Sequence, residues 1–144
     1  QNKFKTIFIQ YDSVDKIKEQ IKKLNVDVII NCIGLTNVED CEKTPELAEK
    51  VNIDIPQSIA RASYDCKIKF VQISTDHLFD GNSSYYSETF SCNPLNVYGI
   101  TKAQGEKVVL EVNPPNNASP SDVIRTFSAI AVPLFVQNVS ALGI

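Results

Sequence analysis

Residues 71–81 read VQISTDHLFDG, and residues 94–107 read PLNVYGITKAQGEK. The first segment is typical of an apolar strand that ends in hydroxyl and carboxyl side chains. The second is typical of a helix, and it places Tyr98 and Lys102 one turn apart on the same face. An ammonium group beside a phenol favours the phenolate, which lowers the pKa of the phenol. Since a Thr or Ser hydroxyl from the strand end could hold the oxygen that accepts the phenolic proton, the two segments predict a site for carbonyl reduction.

Strand-like and helix-like patterns alternate along the chain. Residues 26–33 read VDVIINCI, a β-branched run typical of a strand covered on both faces of a parallel sheet. Further strands are predicted over residues 5–9, 67–74 and 122–130, with helices between them. This order predicts an α/β fold, a Rossmann-like parallel sheet with helices on both faces. Ligands bind at the carboxyl ends of strands in such a sheet, where Gly34 and residues 74–76 are expected to lie.

Capping residues and a proline set the predicted helix boundaries. Asp12 or Ser13 can cap the first helix, and Asn25 is a plausible end for it. A second helix is predicted over residues 44–62, because it begins with a Thr-Pro pair that suits an N-cap and a first turn. Pro56 lies inside this second helix and should kink it or split it in two.

Composition narrows the class of protein. The 144 residues are 43% hydrophobic, which supports one domain with a real core. A net charge of -3 offers no general attraction for nucleic acid or for an anionic membrane, and no apolar run is long enough to cross a bilayer. The four cysteines have irregular spacings without a C-x-x-C or Cys/His pair, so we expect buried free thiols, no metal and a cytoplasmic location.

The start of the sequence predicts a fragment. The chain begins with Gln1 and contains no methionine, so we expect a piece of a longer protein whose sheet is truncated at its N-terminus. The predicted domain division is a partial NAD(P)-binding domain over residues 1–130 and an unassigned tail over residues 131–144.

The two opening segments together resemble the extended short-chain dehydrogenase/reductases. The patterns ISTD-x-x-FDG and PLNVYG-x-TK-x-x-GE carry the resemblance, which is closest to the dTDP-4-dehydrorhamnose reductase type. Residues 27–42, DVIINCIGLTNVEDCE, also match the fourth strand and following helix of that group. The similarity covers about residues 7–112. It implies an enzyme that uses NADPH or NADH to reduce a nucleotide-linked 4-keto deoxysugar.

The resemblance also implies roles for individual residues. Tyr98 would be the general acid, Lys102 would lower its pKa and contact the nicotinamide ribose, and Thr75 would orient the substrate carbonyl. The residues implied to bind the dinucleotide are Ile33, Gly34, Leu35, Ser74, Tyr98 and Lys102. Those implied to bind the sugar are Thr75, Asp76 and His77.

Departures from the family pattern keep other functions open. The sequence has no G-x-x-G-x-x-G turn to hold a pyrophosphate, so the 144 residues alone should bind dinucleotide weakly. His77 stands where tyrosine is usual, and Phe127 precedes Ser128 where the reverse order is expected.

The alternatives are an inactive fragment or a non-catalytic regulatory or binding subunit, such as a relative of the methionine adenosyltransferase regulatory subunit. Epimerisation or dehydration of a nucleotide sugar is a further option, although dehydratases carry T-D/E-E at the strand end. A homodimer is also left open.

Several conspicuous residues favour a structural interpretation. His77, the only histidine, is expected to line or flank the pocket rather than to act as a second acid or base. Asn52 resembles a structural asparagine of the fourth helix, and residues 85–88 resemble a family loop held by packing and a salt link. The acidic residues in 39–42 are expected to form a solvated face rather than a cation site.

Overall fold

The computed structural model of the protein describes residues 8–87 and 90–112. The predicted strand over 122–130, the order of Phe127 and Ser128, and the tail over 131–144 lie outside the described residues, as does most of the strand predicted over 5–9. In chain order, the described elements are α1 (Val14–Leu24), β1 (Val28–Asn31), α2 (Val38–Lys43), α3 (Pro45–Glu49), α4 (Ile55–Asp65), β2 (Lys69–Gln72) and α5 (Val97–Val112). No helix in these two ranges is long and apolar enough to span a bilayer.

The two strands form a small parallel sheet. Pairing runs in register from Val28 opposite Lys69 to Asn31 opposite Gln72. Three helices, α2 to α4, lie between the strands in the chain, as expected for a parallel crossover. The predicted α/β class and parallel pairing are therefore confirmed for this part of the sheet.

The expectation that the strand predicted over residues 26–33 is covered on both faces is wrong for β1. The strand has only four residues, and the side chains of Val28 and Ile30 are 46% and 61% exposed. The opposite face of β1 carries Ile29 and Asn31, which point into the protein. Within the described ranges β1 pairs with β2 alone, and Val28 and Ile30 lie on the exposed face of this two-stranded sheet.

Helix α1 forms where the sequence predicted it. The Ser13 hydroxyl accepts a hydrogen bond from the Lys16 backbone N–H at 3.3 Å, so Ser13 rather than Asp12 is the N-cap. Asn25 ends the helix in the left-handed conformation with φ of 50°.

Burial divides the described part of the chain into two clusters. The main core lies between the inward face of the sheet and helices α1, α4 and α5. Its buried members are Ile17, Ile21, Ile55, Ile59, Ala60, Ala62, Phe70 and Val109. A smaller cluster contains Leu35, Cys41, Ala48, Val51 and Tyr98. Tyr98 is thus packed as a core residue.

Pro56 interrupts the second predicted helix without ending it. A π-helical turn at Lys50–Asp54 separates α3 from α4. Since proline has no N–H, it cannot donate to the carbonyl of Asn52 four residues earlier. That carbonyl instead faces α5, where a Cβ added to Gly105 would lie 2.2 Å from it. The interruption therefore lets α5 pack closely against the π turn.

The Thr-Pro pair begins α3, but its hydroxyl does not cap the helix as predicted. The Thr44 hydroxyl donates to the carbonyl of Asp40 at 2.8 Å, because Thr44 also ends α2. Pro45 occupies the first turn of α3, as expected from its fixed φ.

Candidate functional site

The residues of the two motifs converge where β2 ends and α5 begins. Tyr98 lies in the first turn of α5 and Lys102 in the next turn, and each side chain is buried. Thr75 follows β2 and caps a short 3-10 turn, Asp76–Leu78, by accepting from the His77 N–H at 3.3 Å. The Thr75 hydroxyl donates to the Asp76 carboxylate at 3.3 Å and lies beside the Tyr98 phenol. The structure therefore places the hydroxyl next to the phenol, with Lys102 one helical turn further along α5.

The electrostatics of Tyr98 differ from the prediction. Burial raises the pKa of its phenol, and the negative charge of Asp76 and the Cys41 side chain raise it further. The neighbouring Thr75 hydroxyl acts in the opposite direction and lowers the pKa, but its effect is smaller than that of burial. The predicted lowering by Lys102 is absent, because the Lys102 ammonium points elsewhere. Tyr98 is therefore held in its protonated form near neutral pH.

Lys102 is directed at the backbone that follows β2. Its Nζ donates to the carbonyl of Ile73 at 2.7 Å, while a Cβ added to Gly34 would lie 3.9 Å from the same nitrogen. Burial lowers the pKa of Lys102 to about 8, against a smaller opposing effect of Glu106 and then Cys32. The ammonium thus lies between the segments that follow the two strands.

Lys102→Met should reveal the cost of this burial as a pH-dependent change in stability. The folded pKa of about 8 lies below the ordinary value of 10.5, so the unfolded chain binds more protons at intermediate pH. As pH rises from about 8 to 10.5, the free energy of unfolding of the wild type relative to Lys102→Met should therefore increase by up to about 3 kcal/mol. This gain should be absent once pH has fallen below 8. Urea unfolding at pH 7 and pH 10 measures it. Lys107→Met, on the exposed face of α5, is the matched control, and a difference that stays constant with pH would contradict the prediction.

Asn52 joins the segment after β1 to α5. Its side-chain oxygen accepts from the Leu35 N–H at 2.8 Å, and its side-chain nitrogen donates to the Leu35 carbonyl at 3.1 Å. The same nitrogen donates to the Thr101 hydroxyl at 3.0 Å. Thr101 precedes Lys102 and is buried, yet sequence reasoning did not select it. These bonds are consistent with the structural interpretation of Asn52, and they tie Leu35 to the helix that carries Tyr98.

The other predicted binding residues surround this centre. The His77 ring packs edge-on against the Tyr98 ring with centroids 5.2 Å apart, and the side chains of Asp76 and His77 are exposed. The Ser74 hydroxyl is buried and has no hydrogen-bond partner in the described part of the chain. Ile33 is half-buried beside the buried Leu35. All of these residues lie near the strand ends, but their roles in binding stay predictions.

A clasped loop follows the 3-10 turn. The carboxylate of Asp80 accepts hydrogen bonds from the Tyr86 phenol at 2.7 Å, the Asn82 N–H at 3.0 Å and the Asn93 side chain at 3.0 Å. Tyr86 also stacks on Phe79 with centroids 4.4 Å apart. Tyr86 therefore packs the loop as the sequence predicted, but the same expectation is wrong for Tyr85, which is 96% exposed. The salt link expected from Glu88 lies outside the described residues.

Asp80→Asn should loosen this loop at neutral pH. The three hydrogen bonds, led by that of Tyr86, hold the pKa of Asp80 well below its ordinary value of 3.8. The stabilisation is therefore complete above that value and is lost as pH falls below it. Thermal unfolding should show a wild-type advantage at pH 7 that shrinks at pH 3. The exposed Asp54→Asn, which removes a carboxylate that makes no cap bond to α4, is the control; an equal effect there would contradict the prediction.

The acidic residues 39–42 lie in α2, and no group of His, Cys, Asp or Glu side chains able to hold a metal occurs among the described residues. All four cysteines are free, but the expectation that they are buried is wrong for Cys32 and Cys92, which are exposed. However, the expectation of a merely solvated face is incomplete. Glu42 accepts a hydrogen bond from the Val97 N–H at 2.8 Å, a contact that no local sequence signal indicated.

Comparison with known proteins gives a consistent result. The family model described as the RmlD substrate binding domain matches residues 6–127. A probable low-salt glycan biosynthesis reductase of Haloferax volcanii, Agl14, is 36% identical over 107 residues, which is 74% of this chain and 36% of that protein. The dTDP-4-dehydrorhamnose reductase of Salmonella typhimurium is 39% identical over 94 residues, 65% of this chain and 31% of the enzyme. Methionine adenosyltransferase 2 subunit beta of Bos taurus is 37% identical over 86 residues, 60% of this chain and 26% of that subunit.

Solved structures agree with these relatives. The dTDP-4-dehydrorhamnose reductase of Clostridium acetobutylicum matches with a TM-score of 0.66 and 37% identity, over 71% of this chain and 37% of that one. The Bacillus anthracis enzyme, in complex with NADP, has a TM-score of 0.66 and 32% identity over 69% and 36% of the two chains. A UDP-glucuronic acid 4-epimerase of Bacillus cereus, in complex with NAD, has a TM-score of 0.59 and 25% identity over 67% and 30%. The chain spans about a third of the length of the proteins it matches.

Proposed function

Since this chain belongs to the RmlD substrate-binding domain family, we propose that it is part of an NAD(P)H-dependent reductase of a nucleotide-linked 4-keto deoxysugar. The observation that carries the proposal is the placement of Thr75, Tyr98 and Lys102 near the end of β2, with the Thr75 hydroxyl beside the phenol and the Lys102 ammonium on the Ile73 carbonyl. Reduction of a ketone needs a proton donor beside the carbonyl oxygen, a second group to hold that oxygen, and a place for the hydride donor. Tyr98 supplies the proton donor and Thr75 supplies the second group. The three side chains border the place for the hydride donor.

In the proposed mechanism, the Tyr98 phenol gives its proton to the carbonyl oxygen as the C–O double bond becomes an alcohol. The Thr75 hydroxyl, which lies beside that phenol, would hold the oxygen in line with the proton. Burial keeps the Tyr98 proton in place near neutral pH, which suits a donor in the reducing direction. The exposed Asp76 and His77 would contact the sugar at the mouth of the site.

The residues present fit the nicotinamide half of a dinucleotide. The buried Ser74 hydroxyl has no partner in the described ranges, and the Lys102 ammonium lies beside Gly34, which presents no side chain. Ile33, Gly34 and Leu35 would lie along the dinucleotide, and Lys102 would contact the ribose. Bound NADPH or NADH would supply the hydride. The Bacillus anthracis relative in complex with NADP supports this choice of cofactor class.

The test is reductase activity in the longest natural protein that contains these residues. We expect oxidation of NADPH that depends on a dTDP-linked 4-keto-6-deoxysugar, with one equivalent of reduced sugar formed per NADPH. NADH in place of NADPH distinguishes the two cofactors. If NADPH binds but no 4-keto sugar is reduced, the reductase proposal fails.

A regulatory subunit is the second candidate. It is favoured by the 37% identity to methionine adenosyltransferase 2 subunit beta of Bos taurus. The presence of Thr75, Tyr98 and Lys102 favours the enzyme, since a regulatory role does not require a proton donor. Co-purification with a methionine adenosyltransferase catalytic subunit, together with absence of sugar reduction, would favour the regulatory role. A homodimer and a cytoplasmic location stay predictions.

A further inference from the structure

We propose that Glu42 is a positioning residue for Tyr98. Its carboxylate, delivered from α2, fixes the first turn of α5 and so keeps the Tyr98 ring in the site. The importance of Tyr98 for chemistry rests on the proposed function, but its placement can be measured separately. Glu42 is not expected to touch substrate or cofactor.

The hydrogen bonds at the start of α5 carry the inference. The first N–H groups of a helix have no partner within the helix. At α5, Asn96 accepts from the Gly99 N–H at 2.7 Å, which is a local cap. Glu42 accepts from the Val97 N–H at 2.8 Å, although it lies 55 residues earlier in the chain. Because Val97 directly precedes Tyr98, this second bond fixes the backbone next to the phenol.

Charge strengthens the same contact. A carboxylate near a helix N-terminus interacts favourably with the partial positive charge of the exposed N–H groups. A hydrogen bond with an ionised partner is also shorter and stronger than one between neutral groups. Glu42 therefore contributes both a directional hydrogen bond and a favourable charge interaction at the start of α5.

Helix α2 is itself fixed to the site, so it can act as a support. Asn37 caps α2 by accepting from the Asp40 N–H at 3.0 Å. The Cys41 thiol donates to the Leu35 carbonyl at 3.4 Å, and both residues pack in the same buried cluster as Tyr98. Glu42 thus projects from a helix whose position is set by the segment expected to lie along the dinucleotide.

A second contact at the start of α5 is the packing of Gly99 against the 3-10 turn, which limits distance but does not fix the rotation of the helix. A Cβ added to Gly99 would lie 2.4 Å from the His77 carbonyl, so the helix and the 3-10 turn are already in close contact. This packing limits how near α5 can come to the turn. Rotation of its first turn is opposed by directional hydrogen bonds, and the bond to Glu42 joins that turn to another helix.

Glu42→Ala, compared with Glu42→Gln and Glu39→Ala, tests the inference. The amide of Glu42→Gln keeps an acceptor oxygen, and Glu39 lies on the same helix with its carboxylate 3.9 Å from the Lys43 ammonium. Tyrosine labelled with ¹³C reports the Tyr98 titration, which a Tyr98→Phe spectrum assigns. In Glu42→Ala we expect the pKa of Tyr98 to move back towards 10.0, because the ring becomes less buried. We also expect loss of the nuclear Overhauser contact between the Tyr98 and His77 rings.

The outcomes separate positioning from general stability and from function. Wild-type behaviour of Glu42→Gln and Glu39→Ala beside a changed Glu42→Ala supports the inference. An unchanged Tyr98 titration and ring contact in Glu42→Ala overturns it, as does an equal change in Glu39→Ala. In an active protein, Glu42→Ala should lower kcat by roughly tenfold with a smaller change in KM. A wild-type protein that reduces no sugar would end the reductase proposal, while the spectra would still decide the role of Glu42.

Discussion

Tyr98→Phe should lower turnover by about 10² to 10⁴-fold, with little change in stability. The substitution removes the proton donor while the buried ring remains in its cluster. The Thr75 hydroxyl beside the phenol loses a neighbouring polar group, which is a small cost beside the packing that is kept. The measurement is kcat for NADPH-dependent sugar reduction in the longest protein that contains the chain, together with thermal unfolding of the same variant.

Tyr64→Phe is the matched control for this prediction. Tyr64 lies on α4 with 42% of its surface exposed, so the same atom is removed away from the site. Activity of Tyr64→Phe should equal that of the wild type. If Tyr98→Phe retained full turnover, another group would have to donate the proton, and the proposed mechanism would be wrong.

Gly105→Ala should destabilise the fold by about 2 kcal/mol. Alanine normally favours a helix interior over glycine, so a substitution on an open face would stabilise α5. Here the added methyl group would lie 2.2 Å from the carbonyl of Asn52, which is backbone and cannot rotate away. The expected result is displacement of α5 from the π turn, measured as a lower midpoint of urea unfolding. Activity should also fall, since Asn52 is bonded to Thr101.

Gly34→Ala provides the comparison. Its Cβ would lie 3.4 Å from the Asn52 side chain and 3.9 Å from the Lys102 ammonium, which are ordinary van der Waals contacts without backbone overlap. We therefore expect stability near that of the wild type and weaker dinucleotide binding. Equal unfolding midpoints for Gly105→Ala and wild type would mean that α5 and the π turn can separate without cost.

Local sequence signals were sufficient where one short segment determines the result. The cap at Ser13 and the shared face of Tyr98 and Lys102 could be predicted because each depends on neighbours within a turn or two. The interruption near Pro56 was also predictable, since proline removes a defined hydrogen bond. Its form as a π turn was not, because that form depends on the close approach of Gly105 from a distant helix.

Long-range packing explains the features that sequence reasoning missed or predicted incorrectly. The direction of the Tyr98 pKa shift follows from burial, and Cys41 and Leu35 join its cluster from a segment far earlier in the chain. The Lys102 ammonium donates to the backbone carbonyl of Ile73, and a backbone acceptor cannot be identified from the side-chain pattern of a sequence. The cap from Glu42 likewise spans 55 residues. Rules based on residue spacing describe a single helix or strand. These contacts join two or three such elements, so the rules could not predict them.

The open face of β1 has a practical consequence for handling the protein. Val28 and Ile30 expose branched apolar side chains on a strand that pairs with one neighbour in the described ranges. An exposed apolar surface of this kind favours association between copies. In a sample of this chain, we therefore expect such association to contribute to loss of material at high concentration. Dilute samples and mild detergent would preserve the protein for the measurements described above.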